Sequence, residues 1–393
     1  MRTLPLLLAS LFVSTLAAQD TLTAQANQVF RVGTWNLEFL GADGNYRNNT
    51  PPRSEADYAA IGKKVVELGV CILAVQEIND EASLRKVAAG AGASWDCVLG
   101  TSGSWDDGKT AQRIGFLYDK AQVDLLFAEE LNGLPRQFED QPIFHRVPVT
   151  AAFRHARSGC DFRLVTVHLK AGQKAQDAQK RRGEATLLAA LLNELATQPR
   201  EDGDIVLLGD FNSTYGTEPE QLFEANQCFR YLEPRQPTPT IMHFAEGIDQ
   251  VVASESCREL RRDSFTVDGD FDGMAKEAWR KTYSDHFPVV VTFVANGDDD
   301  PQAKFARGGP DQALPRPITA PPPGATLPGP EPRRRPWPPQ VGQNVRVLRV
   351  GNTPIDGRLL APVPDGPGGW IVLEVNGQVH AIPLAMTAQL VLL

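Results

Sequence analysis

Short apolar runs alternate with helical periodicities through about two thirds of this 393-residue chain. Residues 31–38 read as a strand rich in Val, Thr and Trp. Residues 70–75 form a continuous apolar run of the kind buried on both faces of a sheet. Residues 114–118, 162–169, 205–208, 248–253 and 289–294 repeat that pattern. Between the first two strands, Tyr58, Ile61, Val65 and Leu68 recur every three to four residues, behind the helix-capping Ser54, and the period stops at Gly69. A longer period predicts a helix over about 175–196 with Leu188, Leu191, Leu192 and Leu195 on its buried side. Strands and helices mixed in this way predict an α/β layered domain over residues 29–295.

Two stretches depart from the pattern. Arg2 precedes an apolar run over residues 4–16, with small residues at Thr15, Ala17 and Ala18. That is the form of a secretory signal peptide over 1–18, with an uncleaved anchor as the alternative. It predicts a secreted, periplasmic or cell-surface protein. No second long apolar run follows, so no stable membrane insertion is expected. Past Asn296, Asp298, Asp299 and Asp300 lead into a Pro/Gly-rich stretch reaching Pro338 and Pro339. Residues 296–340 therefore read as a semi-rigid linker. Its Arg333, Arg334 and Arg335 are either a solvated basic patch or a contact for an anionic polymer. Residues 341–393 return to short apolar runs with turn signals, including Asn376-Gly377. They predict a small all-β barrel, SH3-like or Sm-like, serving either to bind a surface or polymer or as a stability or secretion module.

Composition narrows the classes. With 42% hydrophobic and 22% charged residues, the chain has material for a sizeable core. Its net charge of -9 lacks the basic excess of a protein that coats DNA. An enzyme that meets phosphate through a cation needs no such excess. Five cysteines, an odd number, leave at least one thiol unpaired, and Cys71 inside the apolar run is the best candidate. None stands in a CxxC or Cys/His pattern, which excludes a structural zinc site of that type.

The candidate chemistry lies at strand ends. Asn36 ends the first strand, Glu77 follows the second, and His168 closes another. Asp210 and Asn212 follow residues 205–208, Asp249 opens the next strand, and Asp285-His286 precedes the last. Singly, each is an ordinary turn residue; together they are how a rigid scaffold presents a reactive cluster.

The motifs Thr34-Trp35-Asn36, Val75-Gln76-Glu77-Ile78, Val167-His168-Leu169, Gly209-Asp210-Phe211-Asn212, Ile248-Asp249 and Ser284-Asp285-His286-Phe287-Pro288-Val289 resemble those of the endonuclease/exonuclease/phosphatase superfamily, in its order. The resemblance implies a four-layered sandwich, two mixed sheets face to face with helices outside and the site at one edge. It implies a phosphodiester hydrolase with Glu77 as chief metal ligand, helped by Asn36 and Asp285. Mg2+ suits such a sparse oxygen set, with Mn2+ and Ca2+ as alternatives. Asp210 and Asn212 would position the nucleophilic water, Asp249 would orient His286, and His286 and His168 would bracket the phosphate. Arg146 matches a phosphate-contacting arginine, and Lys170 is placed to meet a polyanion; Arg181, Arg182 and Arg113 align less specifically. Gln112 stands where deoxyribonuclease I-like members have a glutamate partner for the first histidine, which weakens His168 as a charged acid. Nucleic acid is the expected substrate, DNA ahead of RNA, and a monomer is expected. A sphingomyelinase-like lipid phosphodiesterase, a phosphatase, and a non-catalytic binding protein on the same fold are the competing readings.

Overall fold

The apolar runs assemble into two six-stranded mixed sheets and a separate five-stranded one. The computed structural model describes residues 29–45, 50–105, 110–197, 202–214, 222–224, 228–232, 234, 238–302, 305, 344–349, 355–361, 370–383 and 387–392. The predicted signal segment and most of the Pro-rich stretch, with Arg333–335, lie outside these residues. In chain order the strands are β1 (Val29–Leu40), β2 (Ile72–Ile78), β3 (Trp95–Leu99), β4 (Arg113–Asp119), β5 (Val123–Glu130), β6 (Gln137–Phe138), β7 (Gln141–Pro142), β8 (Val149–His155), β9 (Asp161–His168) and β10 (Ile205–Asp210). They continue as β11 (Phe229–Tyr231), β12 (Asp249–Ser254), β13 (Thr266–Val267), β14 (Val289–Val294), β15 (Asn344–Arg349), β16 (Ile355–Leu359), β17 (Trp370–Val375), β18 (Gln378–Pro383) and β19 (Thr387–Leu392). The α-helices used below are α1 (Glu55–Glu67), α2 (Glu81–Ala91), α3 (Ala175–Thr197) and α4 (Lys276–Thr282).

The first sheet has the order β13-β14-β1-β2-β4-β3 and the second β11-β12-β10-β9-β8-β5. Each is antiparallel apart from one central parallel pair, β1 with β2 and β10 with β9. Their inner faces meet through Val32, Ile72, Ala74 and Phe116 on one side and Phe153, Phe162, Leu164, Val206 and Leu208 on the other. Alternate residues of the same strands face outward. Leu73 and Val75 pack with Tyr58, Ile61, Val65, Leu84 and Val87 of α1 and α2. Val165, Val167, Ile205 and Leu207 pack with Leu188, Leu191 and Leu192 of α3. Strands buried on both faces read as unbroken apolar runs for this reason.

The third sheet is all antiparallel, in the order β18-β17-β16-β15-β19. Val345, Val347, Leu359, Ile371, Leu373 and Ile382 form its own core. Its Ala361, Val372 and Ala381 join the cluster beneath α3. The helix is consequently buried without interruption from Gly183 to Asn193, rather than on one stripe.

The sandwich's contacts also extend past Ala295, into residues read from sequence as linker: Asp299 N donates to Glu259 Oε1 at 3.1 Å. All five cysteines are free, and Cys71 is buried with its Sγ on Arg31 O at 3.3 Å. Among the described residues no helix is long and apolar enough to cross a membrane.

Candidate active site

Strand direction brings the candidate residues to one rim. The parallel β1 and β2 both run toward it, carrying Asn36 and Glu77, and antiparallel β14 starts there just after Asp285 and His286. In the other sheet Asp210 stands in register with His168 on parallel β9 and with Asp249 on antiparallel β12. Asn36 Nδ2 donates to Asp210 Oδ2 at 3.0 Å, which ties the two sheets together at this edge.

The backbone is unusual at these positions. Glu77 lies in the left-handed region at φ 60° and Asn212 at φ 51°. Glu77 falls where the register of β2 shifts against both β1 and β4. Such conformations cost about 1–3 kcal/mol and persist only where surrounding packing enforces them. Gly209 has φ +145°, and a Cβ there would lie 2.1 Å from Val167 O. Only glycine lets β10 approach β9 this closely, and that approach sets Asp210 beside His168.

Asp210 is the centre of the cluster. Its Oδ2 lies 3.4 Å from His168 Nε2 and 3.9 Å from His286 Nε2. Its Oδ1 accepts from Asn212 N at 2.8 Å, and Asn212 Nδ2 donates to Leu169 O at 3.1 Å. His286 Nδ1 pairs with Asp249 Oδ2 at 2.8 Å, so the bond that orients the ring leaves Nε2 facing Asp210. Glu77 Oε1 lies 3.7 Å from His168 Nε2. An open cavity of about 360 Å³ lies beside them, lined by Glu38, Phe39, Thr50, Glu77, Arg280, Asp285 and His286.

Electrostatics separate the two histidines. Burial opposes charge on His286, but Asp249, and then Asp285 and Asp210, outweigh it and raise its pKa well above the usual value. Burial, reinforced by Arg146 and His286, drives His168 well below its usual value, so its ring is neutral. Its Nδ1 has no hydrogen-bond partner.

Four residues are placed otherwise than expected. Gln112 does not support His168: its Nε2 donates to Glu77 Oε1 at 2.7 Å and its Oε1 accepts from Arg146 Nη1 at 2.7 Å. Arg146 faces inward, with Nε on His168 O and Nη2 on Leu169 O, both at 2.8 Å, and the residue is only 7% exposed. It braces the loop that carries His168 instead of offering its fork to the cleft. Lys170 pairs with Asp177 at 3.0 Å and donates to Ala171 O, so its charge is already engaged. Arg181 likewise donates to Lys170 O at 2.6 Å.

Other residues that build the site were not singled out from sequence. Glu38 accepts from Asp285 N at 3.0 Å through Oε2, and from Arg280 Nε at 2.8 Å through Oε1. Ser284 Oγ donates to Asn36 O at 2.6 Å and accepts from His286 N at 3.0 Å. Thr240 Oγ1 accepts from Ile248 N and Asp249 N, each at 2.9 Å. Gln76 Nε2 donates to Thr34 Oγ1 and Thr166 Oγ1, both at 3.0 Å, and so bridges the sheets just below the rim. Glu38 lies two residues beyond Asn36, and its charge was the available signal. The Ser and Thr contacts depend on distant loops.

The donor chemistry fits a divalent cation. Burial, with the charges of Asp285 and Asp210 added, pushes Glu77 up to about 8, so an isolated carboxylate is disfavoured there and a cation would favour it. Glu77 and Asp285 both line the cavity. Asn36 Oδ1 already accepts from Glu38 N at 3.0 Å and has one lone pair left. A tighter cluster, Asp210, Asp249 and His286, also has metal-ligand spacing. There His286 and Asp249 satisfy each other directly, so the Glu77–Asp285 side is the better cation site.

Known proteins agree with this architecture. A structure of the Bacteroides thetaiotaomicron mannosyl-6-phosphatase superposes with a TM-score of 0.51 at 19% identity, covering 67% of this chain and 98% of its own. The human Nocturnin catalytic domain with bound sulfate gives 0.48 at 15% identity, covering 67% and 94%. D. rerio TDP2 complexed with single-strand DNA product gives 0.47 at 16% identity, covering 67% and 98%. At 19% identity the first of these likenesses is one of fold alone. No curated protein sequence matches the chain. Residues 33–286 match the Endonuclease/Exonuclease/phosphatase family, whose members hydrolyse phosphoester bonds and generally use divalent metal ions, and the chain belongs to that family.

Proposed function

We propose that the chain is an exported nuclease that cleaves phosphodiester bonds of DNA, and secondarily RNA, with Mg2+. The choice of substrate is supported by an aromatic ledge at the cleft. Phe39 lines the cavity, Trp105 stands 6.0 Å from Phe39 by ring centroids, and His145 is 5.1 Å from Trp105. Phe39 is buried and backs Trp105, which is half-buried, and an aromatic face of that kind beside a phosphate site stacks bases without regard to sequence. Export rests on the form of residues 1–18.

Glu77 and Asp285, with Asn36, would hold the cation, which when bound neutralises phosphate charge and so stabilises the transition state. Asp210, fixed by Asn36 and the Asn212 amide, orients a water and accepts its proton. His286, protonated through Asp249, donates to the leaving oxygen, which departs in line with the attacking water. Neutral His168 supplies a hydrogen bond to phosphate from Nε2. Arg146 and Gln112 act as positioning residues, one for the His168 segment and the other for Glu77.

A panel of plasmid DNA, RNA, sphingomyelin and a phosphomonoester, each with Mg2+ or chelator, tests the reading. Mg2+-dependent cleavage of plasmid DNA is the expected result. Cleavage confined to sphingomyelin or to the phosphomonoester would overturn the nuclease assignment and leave the family intact.

A further inference from the structure

A second group of carboxylates lies at the opposite rim of the sandwich. Asp202 and Asp204 precede β10, whose far end is Asp210, so the span of that strand puts them about 20 Å from the active site. Glu259 follows the end of β12, and Asp298–Asp300 follow the end of β14. Asp202 is 0% exposed, Asp204 1% and Glu259 6%, and Asp300 is half-buried.

Apart from close approaches to one another, Asp204 to Glu259 and Asp202 to Asp161, these acids find little compensation in the protein. Asp204 Oδ1 and Oδ2, Asp202 Oδ2, Glu259 Oε2 and Asp300 Oδ1 are buried and have no hydrogen-bond partner. Asp202 Oδ1 and Glu259 Oε1 accept from the amides of Asp204 at 2.8 Å and Asp299 at 3.1 Å, and Asp298 Oδ1 from the amide of Asp300 at 3.4 Å. At the edge of the group Arg154 pairs with Asp161 at 2.5 Å and Arg258 with Asp299 at 3.4 Å. One oxygen from each of Asp202, Asp204 and Asp300 lies within 4.8 Å of the others, the span of ligands sharing one ion. Buried carboxylates packed together are costly as anions, and either a shared proton or a bound cation relieves them.

We infer that this rim binds one Ca2+ through Asp202, Asp204 and Asp300, with Glu259 beside it, as a structural site separate from the catalytic centre. The Asp202–Asp204–Asp300 set is all oxygen, irregular and open on the Asp300 side. That suits Ca2+, which accepts six to eight oxygens in flexible geometry and completes its shell with water and carbonyls. Mg2+ keeps most of its water and takes one or two carboxylates, so three acids converging on one point favour the larger ion. The ion would fasten the segment after β14 to the start of β10, where the chain leaves the sandwich for its C-terminal sheet. The inference does not depend on which phosphoester is cleaved.

The test uses the full chain after EDTA treatment and desalting, as wild type and as Glu77→Gln, which weakens cation binding in the catalytic cleft. Both should melt roughly 5–10 °C higher with Ca2+ at a hundredfold excess over its Kd. Calorimetric titration of Glu77→Gln should show one Ca2+ bound. Asp204→Asn should lose both the heat and the shift. Without Ca2+ it should melt no lower than chelated wild type, because the change removes a buried charge. If Asp204→Asn folds poorly, the half-buried Asp300→Asn should lose the Ca2+ shift in its place. A Glu77→Gln protein indifferent to Ca2+, variants that keep the wild-type shift, or a response to Zn2+ alone through neighbouring Cys257 would each overturn the inference.

Discussion

Replacing Asp249 with Asn isolates the acid–histidine pair. The carboxylate is 1% exposed and meets His286 Nδ1 at 2.8 Å, and the substitution keeps its shape while removing its charge. A buried hydrogen bond between charged groups contributes about 1.5–3 kcal/mol, or roughly a 10- to 150-fold bias toward protonated His286. Proton transfer by a positioned side chain supplies about 10²–10⁴ in rate, so kcat for Mg2+-dependent DNA cleavage should fall by about 10²–10⁴. The pH profile adds a signature. The wild-type pKa is raised, so His286 stays protonated through neutral pH. In Asp249→Asn burial is no longer opposed as strongly, and the alkaline limb should move to lower pH. For stability the sign is the same: the raised pKa stabilises the fold fully below the unfolded value and ceases to do so as pH passes the folded value. Initial rates between pH 5 and 9, with a thermal melt to show that the variant is folded, measure both effects. A folded Asp249→Asn enzyme within threefold of wild type, with an unmoved alkaline limb, would refute the role of the pair.

Two further changes test the scaffold. Gly209→Ala must carry φ +145° and a Cβ 2.1 Å from Val167 O, so the domain should lose at least about 2 kcal/mol, read as a drop of roughly 4–8 °C in Tm; an unchanged melt would contradict the close approach of β9 and β10. Arg146→Lys keeps the charge and loses the fork that holds the His168 and Leu169 carbonyls. A positioning role predicts about a tenfold fall in kcat with KM nearly constant, whereas a phosphate contact predicts a rise in KM.

The layered fold was legible because its central strands are buried on both faces. Residues 70–75 and 205–208 are uniformly apolar for that reason, and Ser54 and Gly69 bracket α1. What the pattern hid has physical causes. β8 carries Ala151 and Ala152 and no unbroken branched run, and α2 offers few large apolar residues over Glu81–Ala91. The strand signal at residues 70–75 stopped two residues short of Glu77 because a polar bulge continues β2. Leu188, Leu191, Leu192 and Leu195 read as one buried side, although Leu187, Ala189 and Ala190 between them make the helix apolar all round and call for a second cover, here the C-terminal sheet. At the site, the motif residues were readable because chemistry restricts their types. The contacts of Gln112, Arg146, Lys170 and Glu38 were not, because they depend on where partners far along the chain arrive. Asp298–Asp300 read as the start of a linker because acidic residues before prolines carry no signal of burial.

The central claim is that a cation held at Glu77 carries hydrolysis of the phosphodiester. The most direct measurement is the rate of plasmid DNA cleavage against Mg2+ concentration for wild type and Glu77→Gln, with melts confirming that both are folded. The account predicts wild-type activity abolished by chelator and restored by Mg2+. It predicts Glu77→Gln reduced by about 10³ or more at saturating Mg2+, the rate equivalent of a loss of about 4 kcal/mol in transition-state stabilisation. A folded Glu77→Gln protein that retains full Mg2+-dependent cleavage would contradict it.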